Sequence, residues 1–163
     1  MFAELDGEND RAAILVGGSI LEYAIEQAIA SRLREPQTQD ELDVMFAEPG
    51  LLGSFYEKIW GAYFLKVIGP STRRDLDLVR KIRNTAAHDM NPISFEGTAD
   101  IASRCRELAM AAETIPGKAS PPDLRGKFIF TIRFFTANLL LRAGDANAEI
   151  AEAFQSLAPY LDR

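Results

Sequence analysis

The sequence predicts an all-α fold, a helical bundle of about six to seven helices around a buried long first helix. Three observations support this fold class. Apolar side chains recur with the 3.6-residue period of a helix in several segments, breaks with proline or glycine separate these segments, and neither alternating strands nor an internal repeat is visible. We expect a single helical domain over residues 1–163, with enough hydrophobic residues (47%) for one core.

Composition narrows the classes of function. The net charge of −6 disfavours a broad, non-specific surface for nucleic acid or anionic membrane. The single cysteine, Cys105, excludes an internal disulfide and fits a reducing compartment. The acidic first residues do not resemble a signal peptide, and the densest apolar run, 128–141, is short and contains Arg133. We therefore expect a cytoplasmic protein with no membrane partner.

The first predicted helix spans residues 10–34 and should be buried on most sides. Its apolar residues follow the helical period at Ile14, Leu21, Ile25 and Ala28. Gly17, Gly18 and Ser19 in its middle favour close packing of a neighbouring helix. A phosphate-binding loop is the alternative, but no strand precedes the glycines and no Lys-Ser/Thr pair follows them.

The middle of the chain contains three further predicted helices. A short helix over 40–46 follows the break at Pro36. Ser54 and Glu57 form a capping box that begins a helix ending near residue 68. The aromatic stripe of this helix is more typical of a core than of a cofactor site. Gly69-Pro70 ends it, and the next helix covers residues 72–88.

The last third is predicted to contain three more helices and one linker. A helix over 98–112 precedes a linker rich in proline at 114–126. The C-terminal helices occupy residues 127–142 and 147–160. The β-branched and aromatic start of the first of these could also form a strand. We favour a helix, because a single strand has no sheet to join.

The helix over 72–88 carries an unusual charge pattern. It has five positive and two negative side chains, a net charge of +3 in a chain of −6. At about 100° per residue, Arg83 falls within the apolar arc of this helix. A buried guanidinium must find a partner, because leaving it unpaired costs several kcal/mol. The side chain therefore calls for either a structural or a functional explanation.

Two hypotheses account for Arg83. The first is a structural ion pair with Glu22 or Glu26, the only charges in the middle of the first helix. These carboxylates lie one turn apart and repel each other, so a shared cation would explain both. The second hypothesis is that Arg83, together with Arg80, binds a phosphate group in a cleft.

His88 is the only histidine. Alone it cannot form a metal site, so we expect no metal and no cofactor. It can interact with the last carbonyls of its helix, or it can act as a general acid or base. On an unbroken helix, Arg83 and His88 lie about 140° apart. They converge only if the helix loosens at its end or if two subunits meet in a dimer.

An ordered set of sequence blocks resembles the mannitol operon repressor family. The blocks are DRAA at 10–13, VMFAEPGLLGSF at 44–55, KI at 58–59, YFLKVI at 63–68, RKIRN at 80–84, AHD at 87–89 and SF at 94–95. The resemblance covers residues 10–108. It implies an all-helical fold and regulation of sugar-alcohol transport genes through a protein partner, such as another transcription regulator. The acidic net charge and the absence of a helix-turn-helix signal also favour a protein partner over DNA, so we expect no specific DNA binding by the isolated protein.

A second resemblance concerns the motif Arg83-Asn84-x-x-x-His88. It is similar to the signature of the HEPN superfamily, which includes metal-independent endoribonucleases that act as dimers. By this resemblance His88 would move a proton at the RNA 2′-hydroxyl or the leaving oxygen. Arg83 would stabilise the phosphorane-like transition state, and Asn84 would orient the phosphate.

Three functions follow from these patterns. The first is a transcriptional regulator of the mannitol-repressor type that acts through protein binding. The second is an HEPN-type endoribonuclease with RNA as its substrate, and the third is a nucleotide- or phosphate-binding module that uses Arg83 without catalysis. We expect a homodimer, and the apolar run 128–141 could serve either its interface or the core.

Overall fold

The computed structural model describes Leu5 and residues 9–33, 38–109 and 123–144. This part of the chain contains six α-helices and no strand, so the predicted all-α class is confirmed. The helices are α1 (Asp10–Ala30), α2 (Gln39–Phe46), α3 (Phe55–Phe64), α4 (Pro70–His88), α5 (Ala99–Glu107) and α6 (Leu124–Ala143). The predicted helix over 147–160 and most of the predicted linker lie outside the described residues.

Helix α1 is the centre of the bundle. It packs against α3, α4 and α6, and ten of its residues are buried. By length and hydropathy it could cross a bilayer, but more than half of the apolar stretch is buried inside the bundle. The predicted central position of the first helix is confirmed.

Two adjacent glycines let neighbouring helices approach α1 from two sides. A Cβ atom at Gly17 would lie 3.3 Å from Phe128 and from Ile132 of α6. A Cβ atom at Gly18 would lie 2.8 Å from Cγ of Arg83 on α4. The prediction that these small residues serve close packing is confirmed.

Most helix starts follow the capping signals in the sequence. The Ser54 hydroxyl accepts a hydrogen bond from the Glu57 amide, and the Glu57 carboxylate accepts from the Ser54 amide in return. Helix α4 begins two residues before its predicted start, with Pro70 in its first turn. Proline suits this position because its fixed φ angle is helical and it lacks an N–H that would need a partner.

The predicted end of the linker at residue 126 is wrong. Helix α6 already begins at Leu124, because the Asp123 side chain accepts a hydrogen bond of 2.6 Å from the Gly126 amide and caps the helix. Gly144 ends α6 in the left-handed region, with φ +85°.

Helix α3 ends at Phe64, four residues before its predicted end. Lys66 adopts a positive φ of 58°, and the Val67 amide donates to the Ala62 carbonyl. This turn sends Val67 and Ile68 back into the core, where both are buried. Their apolar character therefore reflects burial of the turn rather than continuation of the helix.

Candidate functional site

A partly buried cluster of charges joins α1, α3 and α4. The Lys58 ammonium lies 3.2 Å from Glu22 and 3.1 Å from Glu26, and only 7% of its side chain is exposed. The shared cation of the two carboxylates is therefore Lys58 of α3, and not Arg83 as the first of the two hypotheses for Arg83 had it. Lys58 escaped notice although it shares the buried face of α3 with Phe55, Ile59 and Ala62.

Arg83 lies at the edge of this charge cluster and is half-buried. Its Nη2 atom is 3.8 Å from a Glu22 carboxylate oxygen, and 35% of its side chain is exposed. Its Nη1 atom donates to the Asn84 side-chain oxygen at 3.5 Å. The aliphatic stem rests against Gly18. Because these contacts are long and few, the guanidinium retains N–H donors that could bind an anion.

Arg80 contacts a different set of groups. Its Nε and Nη2 atoms donate to one oxygen of Asp77 at 3.0 and 2.8 Å, and its guanidinium lies over the Tyr56 ring. Lys81 binds the other oxygen of Asp77 at 2.9 Å. Burial alone would raise the pKa of Asp77, but the hydrogen bonds and charges of Lys81 and Arg80 lower it below its usual value. The predicted phosphate ligand Arg80 is thus neutralised by a carboxylate.

His88 is the last residue of α4, and its side chain is exposed. Its imidazole makes no hydrogen bond with any residue that the structure describes. Because α4 is unbroken through His88, the loosening that would bring His88 towards Arg83 does not occur. The two side chains therefore point in directions about 140° apart within one chain. A shared site for the pair requires a second chain.

Arg11 of α1 fixes the segment around His88. Its guanidinium donates to the carbonyl oxygen of Ala86, to that of Asp89 at 2.8 Å and to that of Asn91. A cation that binds the carbonyls at a helix C-terminus satisfies groups that have no partner within the helix. The contacts of Arg11 lie 75 to 80 residues along the chain, so no local sequence signal indicates them.

Asp10 extends this arrangement to the loop after α4. Its carboxylate accepts a hydrogen bond of 3.0 Å from the Phe95 amide and forms an ion pair with Arg125 of α6. Arg125 also donates to the Leu5 carbonyl at 3.0 Å. The first turn of α1 thus holds both the end of α4 and the start of α6.

Other reactive groups in the described residues are dispersed or buried. No cluster of three histidine, cysteine, aspartate or glutamate side chains suited to a metal is found among the described residues. Cys105 is buried, and burial raises the pKa of its thiol to about 12. This thiol therefore stays protonated at neutral pH and is a poor nucleophile.

No protein-family profile and no curated protein matches this chain. Its fold resembles that of a chain in the X-ray structure of the MtlR-HPr complex from Escherichia coli, with a TM-score of 0.65 and 17% sequence identity. The match covers 82% of this chain and 91% of that chain. The protein therefore has an MtlR-like helical fold, as the first resemblance implied. The HEPN-like motif stays a prediction.

Proposed function

We propose that the protein is a transcriptional regulator of the mannitol-repressor type, which acts by binding another protein and not by reading DNA. The observation that carries this proposal is the match of its fold, over 82% of the chain, to a chain solved in the MtlR-HPr complex. The ordered sequence blocks between residues 10 and 95 support the same family. Fold similarity alone does not define function, so the site must agree with it.

Four of the five basic side chains of α4 have a carboxylate within 4 Å, which agrees with this proposal, whereas Arg73 has none among the described residues and Arg83 keeps donors for an anion. Asp77 pairs with both Arg80 and Lys81, Glu22 pairs with Arg83, and Arg74 lies 3.6 Å from Glu107. A DNA-reading helix instead presents unpaired basic and polar side chains to phosphates and base edges. The net +3 of this helix is therefore a poor basis for direct recognition of DNA.

The proposal is tested by titrating the purified protein with purified HPr from the same organism in a calorimeter. We expect saturable binding of one HPr per protein chain. A gel-shift assay with DNA upstream of sugar-alcohol transport genes should show no complex with the isolated protein. Absence of HPr binding, together with tight and specific DNA binding, would overturn the proposal.

A metal-independent endoribonuclease is the second candidate. The exposed His88, in a segment whose backbone carbonyls Arg11 binds, and the partly exposed Arg83 beside Asn84 favour it. Two chains would supply one histidine each. One His88 would take the proton of an RNA 2′-hydroxyl as that oxygen attacks phosphorus. The other would protonate the departing 5′-oxygen, so that a cyclic phosphate and a 5′-hydroxyl form.

This candidate is tested by incubating RNA with the protein in EDTA, beside His88→Ala and Lys81→Ala. The ribonuclease hypothesis requires cleavage by the native protein and by Lys81→Ala, and none by His88→Ala. The regulator that we propose leaves RNA intact in all three reactions. Equal cleavage by the native protein and His88→Ala would indicate a contaminating nuclease.

A further inference from the structure

Four aromatic side chains form a strip along one face of α3. This aromatic strip consists of Tyr56, Trp60, Tyr63 and Phe64. The ring centroids of Tyr56 and Trp60 are 6.2 Å apart, and those of Trp60 and Phe64 are 5.4 Å apart. The predicted core stripe of this helix is buried at Phe55, Ile59 and Val67, but Phe64 beside it is 71% exposed, and Tyr56, which the prediction did not include, is 49% exposed. Trp60 and Tyr63 between them are partly buried, and a contiguous group of rings that reaches water in this way is typical of a binding surface.

Two arginines of α4 lie over the aromatic strip and differ in their charge partners. The guanidinium carbon of Arg73 lies over the Trp60 ring, 4.7 Å from its centroid, and that of Arg80 lies over the Tyr56 ring at 5.2 Å. Arg80 is paired with Asp77. Arg73 has no carboxylate partner in the part of the chain that the structure describes. A guanidinium stacked on a ring keeps its in-plane N–H donors free for a ligand.

A pocket of about 640 Å³ adjoins the aromatic strip and shares Tyr63 and Phe64 with it. Val67 and Ile68 contribute apolar surface to this pocket. Its charged lining residues, among those described, are Lys66 and Arg142, and both are positive. The pocket is large enough for a bulky side chain or a small ligand. Apolar surface and positive charge therefore lie side by side here.

We propose that the aromatic strip, Arg73 and this pocket form a docking surface for an acidic segment of a partner protein. An apolar or aromatic side chain of that segment enters the pocket, and its carboxylates pair with Arg73, Lys66 and Arg142. Charge complementarity carries this choice, because in a chain of −6 two cations and, among the described residues, no carboxylate line the pocket, and Arg73 lies 5.7 Å from the ring centroid of Tyr63 at its edge. This inference rests on the proposed function, because it describes the chemistry of the protein partner that the regulator would bind.

A protein segment fits this surface better than RNA does. The net charge of −6 repels a long polyanion at a distance, whereas a short acidic segment carries only a few charges. The apolar pocket also accepts a side chain, which an extended peptide supplies at regular spacing. Exposed tyrosine, tryptophan and arginine side chains are the residues that contribute most to protein–protein binding.

Panning of a phage-displayed library of random dodecapeptides against the protein tests this surface. Peptides that are enriched would then be titrated while the fluorescence of Trp60, the single tryptophan, is followed. We expect peptides that combine aspartate or glutamate with leucine or an aromatic residue. Arg73→Gln should weaken the binding of these peptides about tenfold or more. The peptide affinity of Arg73→Lys should lie between that of Arg73→Gln and that of the native protein.

The matched control is Arg74→Gln, which removes the same charge from the neighbouring position. Arg74 is exposed and pairs with Glu107, so its loss should change peptide affinity less than about twofold. Thermal unfolding followed by circular dichroism verifies that all variants fold. The inference is overturned if no peptide is enriched, if enriched peptides lack acidic residues, or if they bind Arg73→Gln as tightly as the native protein.

An RNA titration and the HPr titration complete the test. If an oligouridine saturates the Trp60 signal in an Arg73-dependent way and acidic peptides do not, the surface binds nucleic acid and the inference is wrong. If the protein binds HPr but selects no acidic peptides, only the proposed docking surface is contradicted. If it selects acidic peptides but does not bind HPr, only regulation through HPr is contradicted.

Discussion

The side chain of Arg83 lies so close to Gly18 that a Cβ atom at Gly18 would stand 2.8 Å from Cγ of Arg83. Real Cβ atoms do not approach other atoms this closely, so α1 and α4 need glycine at this contact. The same contact holds Arg83 beside Glu22, with the two side chains 3.8 Å apart. A single glycine thus places the half-exposed guanidinium that the sequence pattern singles out.

Gly18→Ala should destabilise the protein by about 1–2 kcal/mol, because overpacking outweighs the gain in helix propensity. Gly17→Ala gains the same propensity but meets its neighbours at 3.3 Å, so it should cost less. Urea denaturation measures both free energies of unfolding. In a double-mutant cycle, Gly18→Ala should destabilise the Arg83→Ala variant less than it destabilises the native protein. Strictly additive changes in the free energy of unfolding would contradict the contact.

Lys58→Met should destabilise the fold by about 2–4 kcal/mol, because it leaves two partly buried carboxylates of α1 beside each other without a cation. Thermal and urea unfolding measure the loss. Adding Glu22→Gln and Glu26→Gln to Lys58→Met should restore most of the lost stability, since no uncompensated charge then remains. If the triple variant is less stable than Lys58→Met, the carboxylates do not depend on this cation.

Arg11→Met should cost about 1–3 kcal/mol, because it removes the donor shared by three carbonyl groups at the end of α4. Hydrogen–deuterium exchange should become faster over residues 86–91, with little change in α2. Arg11→Lys should recover only part of the protection, since an ammonium cannot span the same three carbonyls. Unchanged exchange in this segment would show that Arg11 does not hold it.

Asp77 should contribute stability that depends on pH. Its folded-state pKa is lowered, so its contribution is present above its usual value of about 3.9 and is lost as pH falls through the folded-state pKa. At neutral pH, Asp77→Asn should lose at most about 1 kcal/mol, because the ion pairs are partly exposed. Urea denaturation at several pH values should show this difference shrinking on acidification, and a growing difference would refute the assignment.

The sequence predicts those elements of the fold whose signals are local. The capping box of Ser54 and Glu57, the small residues in α1 and the 3.6-residue period each determine structure within a few residues. The end of α3 was missed because Val67 and Ile68 continue the apolar pattern after the helix has turned at Lys66. Periodicity reports burial and does not distinguish a helix from a buried turn.

The site was predictable only in part, because its remaining contacts join distant positions. Arg83 stood out as a charge within an apolar arc, and Glu22 was named as its partner. Lys58 was missed because lysine is usually a surface residue, and a helical wheel of α3 would have placed it beside Ile59. No comparable signal exists for Arg11, whose acceptors lie at least 75 residues away.

Repression through protein binding is tested most directly by the level of sugar-alcohol transport transcripts in the organism that encodes this protein. The strain that lacks the protein is compared with strains that carry the native protein or His88→Ala. Repression through protein binding predicts a rise in these transcripts on deletion and full restoration of repression by both proteins. Transcript levels that do not change on deletion would contradict this mechanism. Repression that the native protein restores and His88→Ala does not restore would contradict it as well.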